Sequence, residues 1–407
     1  MNRLVVAIAI LLVVVYPTPN TISLAMQDQY PQAPWPTHQW SKATPEEQGM
    51  NSSNLELMLN HYLSNEIQID GLLVIRNGFV VLEEYPANYG PEDIHHLFSC
   101  TKSVTSTLVG IASNLGYLAS IDDSVLGFFS GYNISNPSQR KDAISIGNLL
   151  TMTTGISWDE EHYGQDLNDY NKMVRSDDWI QYVLDKPMTS NPGEFFYYNS
   201  GASHLLSAII QQSTGNSTLD FAIENLFEPL GITEYEWGMD PKGIYSGASG
   251  LKLKPSDMAK IGYLYLREGL WEGIQILPQD WVQTSSTLQV QVDEILGYSY
   301  QWWVLPELGV YYALGWGYQS IIIVPSYDLV IVVTAATLDS SVEVESILKR
   351  WILPSLGVDS TIYTPVSISP LFLLVSGGPF FVLAIAYIMD RFGLWEEMVE
   401  ERIRKKE

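Results

Sequence analysis

What most limits the fold of this chain is where its β-favouring runs lie, near both ends of the body with helical sequence between them. Residues 71–76 and 79–85 are largely apolar and are split by Asn77-Gly78, a pair suited to a two-residue hairpin turn. Strand-like runs return only at 298–305, 310–314, 320–324 and 329–334. The intervening stretch 99–231 reads as helices separated by Gly, Asn and Pro. Two further helices flank the strands. One covers 54–64, with Leu55, Met58, Leu59, Tyr62 and Leu63 at helical spacing, and the other is an amphipathic segment over 341–352. Runs so far apart share a core only by pairing across the chain. The spacing therefore predicts an α+β body over 45–357: one antiparallel sheet built from both ends, flanked by terminal helices, with an all-helical domain inserted.

Charge and composition narrow the chemistry. The 46 acidic and 21 basic residues leave a formal charge of -25, which repels phosphate backbones, so nucleic acid is not expected as a partner. Cys100 is the single cysteine, which leaves no intramolecular disulfide and no cysteine-based zinc site. The six histidines show no H-E-x-x-H or similar ligand spacing, and no metal or other cofactor is expected.

Both termini read as membrane-related. Arg3, the apolar run 4–15 and Ser23-Leu24-Ala25 form the pattern of a removable signal peptide over 1–25. A Pro-, Gln- and Trp-rich linker over 26–44 follows. Residues 360–389 carry no charge, and a transmembrane helix is expected over 366–389. The tail 390–407, with Arg391, Arg402, Arg404, Lys405 and Lys406, falls on the cytoplasmic side by the positive-inside rule. The expectation is a catalytic body held on the outer face of a membrane.

A serine activated by a lysine needs a helix, because one turn brings residues three apart onto one face. The S-x-x-K pattern occurs four times, at Ser99/Lys102, Ser138/Lys141, Ser249/Lys252 and Ser346/Lys349. Ser138 lies in a loop, Ser249 in a glycine-rich turn and Ser346 on a surface helix. Ser99 instead opens the apolar run 104–118, which predicts a nucleophile at the N-terminus of a buried helix, where the macrodipole favours developing negative charge. In Tyr197-Tyr198-Asn199, Tyr197 is the expected proton shuttle to Ser99, and Asn199 the partner of a substrate amide or of Lys102. Gly315-Trp316-Gly317-Tyr318-Gln319 stands before a β run, where backbone can approach a ligand.

Together these segments resemble the penicillin-recognising serine hydrolases: class C β-lactamases, related esterases and especially the 6-aminohexanoate-oligomer (nylon) hydrolases. Leu97-Phe98-Ser99-Cys100-Thr101-Lys102-Ser103 resembles the family's nucleophile segment. Leu149-Leu150-Thr151-Met152-Thr153-Thr154-Gly155-Ile156 is similar to its L-L-T-M-T-S-G-L stretch, and Pro192 to Gly201 to its P-G-x-x-F-x-Y-x-N-x-G segment. The resemblance implies a β-lactamase/transpeptidase-like fold with the site between sheet and helical domain. It also implies a Ser99 acyl-enzyme, proton exchange by Lys102 and Tyr197, and oxyanion donors from the backbone of Ser99 and Gln319. Where β-lactamases and transpeptidases carry K-T-G, this chain has Trp316-Gly317-Tyr318, so the cation that would hold a penicillin-type carboxylate is missing. Small amide or ester substrates are implied, with Trp316 and Tyr318 narrowing the cleft. Glu160 resembles an acidic substrate-side position, or else belongs to a solvated acidic face. A β-lactamase or D,D-carboxypeptidase, or a non-catalytic ligand-binding protein on the same fold, are the alternative readings.

Overall fold

A computed structural model describes residues 33–358, apart from 87–88, 161–167 and 338. The two ends of the sequence meet in a nine-stranded sheet. Its strands are β1 (Ser41–Lys42), β2 (Ile69–Arg76), β3 (Phe79–Glu84), β4 (Val290–Gln291), β5 (Gly297–Tyr298), β6 (Trp303–Leu305), β7 (Val310–Gly315), β8 (Gln319–Val324) and β9 (Leu329–Ala335). The spatial order is β1-β3-β2-β9-β8-β7-β6-β5-β4. β2 pairs with β9 in antiparallel register, Ile75 opposite Val330 and Leu73 opposite Val332, which closes the gap of more than half the chain. Asn77 and Gly78 both take positive φ (52° and 81°), the geometry that lets a two-residue turn follow the twist of the β2–β3 hairpin.

The sheet departs from the expected pattern in two places. β1 runs parallel to β3, so one edge is not antiparallel. The run 298–305 is also split into β5 and β6, because Gln301 turns to φ +60° and becomes a cross-link. Its side chain donates to Leu149 and Leu150 carbonyls and accepts from Ser203 Oγ, while its carbonyl accepts from Ser103 Oγ. Continuing the strand would forfeit this buried set of bonds between sheet and helical domain.

Every residue of β2 is buried, and its side chains alternate between two cores. Leu73 and Ile75 face the core shared with α2 (Cys100–Asn114), α3 (Ser200–Thr214) and α4 (Pro255–Leu266). Leu72 and Val74 face the core shared with α1 (Ser52–Ser64) and the C-terminal helical segment that begins at Val344–Ile347 and ends at Leu353–Ser355. On α1 the buried positions are Leu55, Met58 and Tyr62, whereas Leu63, read as part of the same stripe, is exposed. A sheet covered on both faces accounts for unbroken apolar runs in its central strands.

Residues 33–44, expected as linker, are a packed strap. Trp35 packs edge-on to Tyr263 and tilted against Trp271, at 5.7 and 5.3 Å between ring centroids, and Trp40 packs edge-on to Tyr263 at 5.5 Å. Trp40 Nε1 also donates to the Ser256 carbonyl (3.0 Å). Aromatic rings of this size bury enough apolar area to outweigh a lack of periodicity. The signal peptide over 1–25, the rest of the linker, the span over 366–389 and the tail 390–407 lie outside the described residues. No described helix is long and apolar enough to cross a membrane.

Candidate active site

The entry to α2 is held from both sides. His95–His96 pairs antiparallel with Leu251–Leu253, and Leu97 N–H donates to the Leu251 carbonyl. Phe98 takes φ +46°, its N–H bonds His96 Nδ1 (3.0 Å), and its ring stacks on the imidazole at 4.2 Å. A bulky residue in the left-handed region costs about 1–3 kcal/mol, which this packing offsets. The turn delivers Ser99 to the head of α2, a helix buried from Cys100 to Ala112.

One turn along, Lys102 is 2% exposed. Its Nζ donates to Ser99 Oγ at 2.9 Å and to the Ala248 carbonyl at 3.0 Å, and it sits 4.8 Å above the Tyr198 ring. Burial lowers its pKa to about 8, against the opposing pull of Glu160 and Cys100. At neutral pH a usable fraction of this amine is therefore free to accept a proton. The other three S-x-x-K lysines are occupied elsewhere: Lys141 Nζ by the Leu184 and Lys186 carbonyls, Lys252 by Glu236 and Lys349 by Glu345.

The phenol beside Ser99 belongs to Tyr198, one residue from the expected Tyr197. Tyr198 is within hydrogen-bonding reach of Ser99, and its ring stacks on Trp303 (5.9 Å, 14°). Burial raises its pKa well above the ordinary value, so the phenol keeps its proton. Tyr197 is 51% exposed and reaches solvent instead. The reason lies in the backbone. Met152, at φ +58° in the 149–156 stretch, accepts Tyr197 N–H on its carbonyl (2.8 Å) and Asn199 N–H on its sulfur (3.3 Å). The chain is thereby held in an extended path whose alternate side chain, Tyr198, turns inward.

Asn199 is 1% exposed and caps α3, its Oδ1 accepting Ala202 N–H at 3.0 Å. Glu160 does not belong to a solvated face. It is 4% exposed and accepts from Trp158 Nε1 (2.7 Å), Ser200 N–H (2.8 Å) and Ser200 Oγ (2.5 Å).

The glycine-rich turn does reach the nucleophile. Cys100 Sγ donates to the Gln319 carbonyl at 3.2 Å, which lays the start of β8 beside the first turn of α2. A Cβ on Gly315 would stand 2.2 Å from the Leu97 carbonyl, so only glycine permits this approach. Trp316 packs edge-on to Phe98 at 5.2 Å. The Gln319 side chain is engaged with Trp316 and Ala335 backbone and tethers β8 to β9. Tyr318, at φ +67°, turns its hydroxyl to Glu343 (3.2 Å), just before the C-terminal helical segment.

Residues overlooked in the sequence are Tyr198, Ser200 and the Ala248 carbonyl. For the first two a signal was present. Counted from Pro192, the P-G-x-x-F-x-Y-x-N spacing puts its tyrosine at Tyr198 and its last polar position at Ser200. For Ala248 a glycine-rich turn offered none, because a carbonyl's direction is set by the fold.

A serine oxygen held by a buried lysine of lowered pKa, with a phenol at hand, on a sheet of this topology, defines a serine hydrolase. The chain belongs to the β-lactamase family, whose profile matches residues 62–352. It is similar to the 6-aminohexanoate-dimer hydrolase of Paenarthrobacter ureafaciens, at 24% identity over 286 residues covering 65% of this chain and 71% of that protein. Among solved structures, a putative 6-aminohexanoate-dimer hydrolase from Bacillus anthracis superposes with a TM-score of 0.63 at 22% identity, covering 75% of this chain and 82% of that one. EstCE1, a hydrolase with promiscuous acyltransferase activity, does so with a TM-score of 0.62 at 14% identity, covering 75% and 98%. The structural likeness establishes the β-lactamase/transpeptidase-like fold.

Proposed function

We propose that the protein is an amidase or esterase that works through an acyl-enzyme on Ser99. The observation that carries the reading is the 2.9 Å bond between Ser99 Oγ and a lysine whose pKa burial has lowered to about 8. Lys102, as free amine, takes the hydroxyl proton as Ser99 Oγ adds to the substrate carbonyl. The oxyanion forms at the head of α2, toward the backbone N–H groups of Ser99 and Gln319. Collapse breaks the C–N or C–O bond, and the leaving group takes its proton from Lys102 by way of the Tyr198 phenol. Water, deprotonated by the same pair, then adds to the acyl carbon and releases the acid and Ser99.

The substrate is a small linear amide or ester without an obligatory carboxylate. Phe98 and Trp316 supply aromatic surface at the nucleophile, and an indole stands where a carboxylate-binding lysine would be. The name of the Paenarthrobacter relative supports an amide of the 6-aminohexanoate type as the first compound to try. The catalytic body is held outside a cell membrane by the uncharged stretch 366–389, a reading that rests on its apolar length and the basic tail behind it.

The test is intact mass after fluorophosphonate treatment of the wild type and of Ser99→Ala. One phosphonyl adduct on the wild type and none on the variant is the expected result. An unlabelled wild type would point to a non-catalytic binding protein on this fold.

A further inference from the structure

The acyl transfer at Ser99 makes no direct use of the buried Glu160 carboxylate. Its two oxygens accept from Trp158 Nε1 and Ser200 N–H on Oε2, and from the Ser200 hydroxyl on Oε1. Ser200 opens the 15-residue α3 and stands two residues from Tyr198. The positive end of that helix stabilises an ionised carboxylate even though it is buried. The Tyr198-Asn199-Ser200 elbow is thus fixed by Met152 at Asn199 N–H, by the Asn199 cap on Ala202, and by the Glu160 carboxylate at Ser200.

We propose that Glu160 is a positioning residue for the Ser99 chemistry, acting through Ser200 to fix the Tyr198 phenol and through its charge on the neighbouring proton carriers. The inference rests on the Ser99 acyl-enzyme reading. Several other titratable groups face Lys102 or the carboxylate: Cys100 from α2 itself, Tyr198 from the loop before α3, Tyr298 from β5 and Tyr170 from the helix Asp169–Val174. Burial raises the pKa of each of these four, which keeps them neutral near pH 7. Among these groups Glu160 therefore carries the charge that Lys102 feels. Its pull favours the ammonium, against burial, which favours the free amine. Removing the negative charge lets Lys102 release its proton at lower pH.

The full-length protein and three variants separate the two effects, read as the pH dependence of Ser99 labelling by a fluorophosphonate and as kcat and KM for p-nitrophenyl butyrate. Glu160→Gln can still accept from Trp158 and Ser200 N–H through its carbonyl and donate to Ser200 Oγ through its amide. It should keep the wild-type Tm and move the acidic limb of labelling down by about one pH unit. Ser200→Ala retains the charge and should leave that midpoint in place while lowering kcat. Glu160→Ala removes the clamp and should lower kcat by about 10²-fold with KM changed less than about threefold. A Glu160→Gln limb that superimposes on the wild type, or a Glu160→Ala enzyme with wild-type kcat, overturns the proposal while leaving Ser99 in place. If Glu160→Ala does not fold, the Glu160→Gln limb still decides. A wild type that the fluorophosphonate leaves unlabelled overturns the Ser99 reading and this inference with it.

Discussion

Replacing Tyr198 by Phe removes one hydroxyl from the site and little else. The ring stack on Trp303 and the face beneath Lys102 Nζ are both kept, since neither uses the phenol oxygen. The lost bond to Ser99 should cost about 1 kcal/mol of stability, a small part of the total for a body of this size. The catalytic cost is of another order. General acid–base assistance contributes about 10²- to 10⁴-fold, equivalent to about 2.7–5.5 kcal/mol of barrier, and Tyr198 is the phenol placed to supply it. Tyr197→Phe acts on an exposed side chain and should stay within about 0.5 kcal/mol, roughly twofold in rate. The assay is kcat and KM for p-nitrophenyl butyrate with single-turnover acylation measured alongside, so that a change in the first chemical step is not hidden by slow deacylation. A Tyr198→Phe enzyme within threefold of wild type (roughly 0.6 kcal/mol) would remove the phenol from the mechanism. Collapse of Tyr197→Phe instead would show that the loop adopts another register in the working enzyme.

Four further outcomes follow from the same geometry. The kcat/KM of the wild type should fall as pH drops through about 8, because below that point Lys102 is an ammonium and cannot take the Ser99 proton; a flat profile between pH 6 and 9 (about one unit or more either side) counts against it. Lys102→Met should abolish turnover yet keep Tm near or above wild type, since relief of a buried ammonium, worth roughly 3 kcal/mol from the shift of 10.5 to about 8, offsets the partners lost at Ser99 and Ala248; a large fall in Tm by scanning calorimetry would refute this. Gly315→Ala drives a Cβ to 2.2 Å from the Leu97 carbonyl, and chemical denaturation should show a loss of about 1–3 kcal/mol together with reduced turnover, because the displaced strand carries Phe98 and Ser99 with it. Trp316→Lys should raise kcat/KM for a chromogenic cephalosporin relative to p-nitrophenyl butyrate by one to two orders of magnitude, the equivalent of an ion-paired hydrogen bond of roughly 1.5–3 kcal/mol; a wild type that already prefers the cephalosporin would replace the amidase reading by the β-lactamase one.

Much of the fold was legible because it is written in periods. Asn77-Gly78 between apolar runs admits one economical solution, and the late runs had to find partners, so a sheet joining early and late strands follows from the pattern, while the choice of β9 as the partner of β2 does not. The strap over 33–44 was not legible in that way. Its stability comes from Trp35 and Trp40 meeting Tyr263 and Trp271, residues more than 200 positions away, and no local period announces such a contact. The break at Gln301 is similar, since it depends on four partners from three separate segments.

At the site, Ser99 and Lys102 were legible because their relation is internal to one helix: the 3.6-residue period brings them together whatever surrounds them. Tyr198 is different in kind. It reaches Ser99 across the fold from an extended segment, where neighbours along the chain point to opposite sides, so an error of one position exchanges a buried phenol for an exposed one. Two adjacent tyrosines carry the same chemistry, and only the register set by Met152 distinguishes them. The same slip moves the polar position from Asn199 to Ser200, whose N–H and hydroxyl are the groups that Glu160 accepts from. A motif whose parts lie on one helix can therefore be taken from sequence residue by residue. A motif that lies in extended chain needs its register fixed first, here by counting from Pro192.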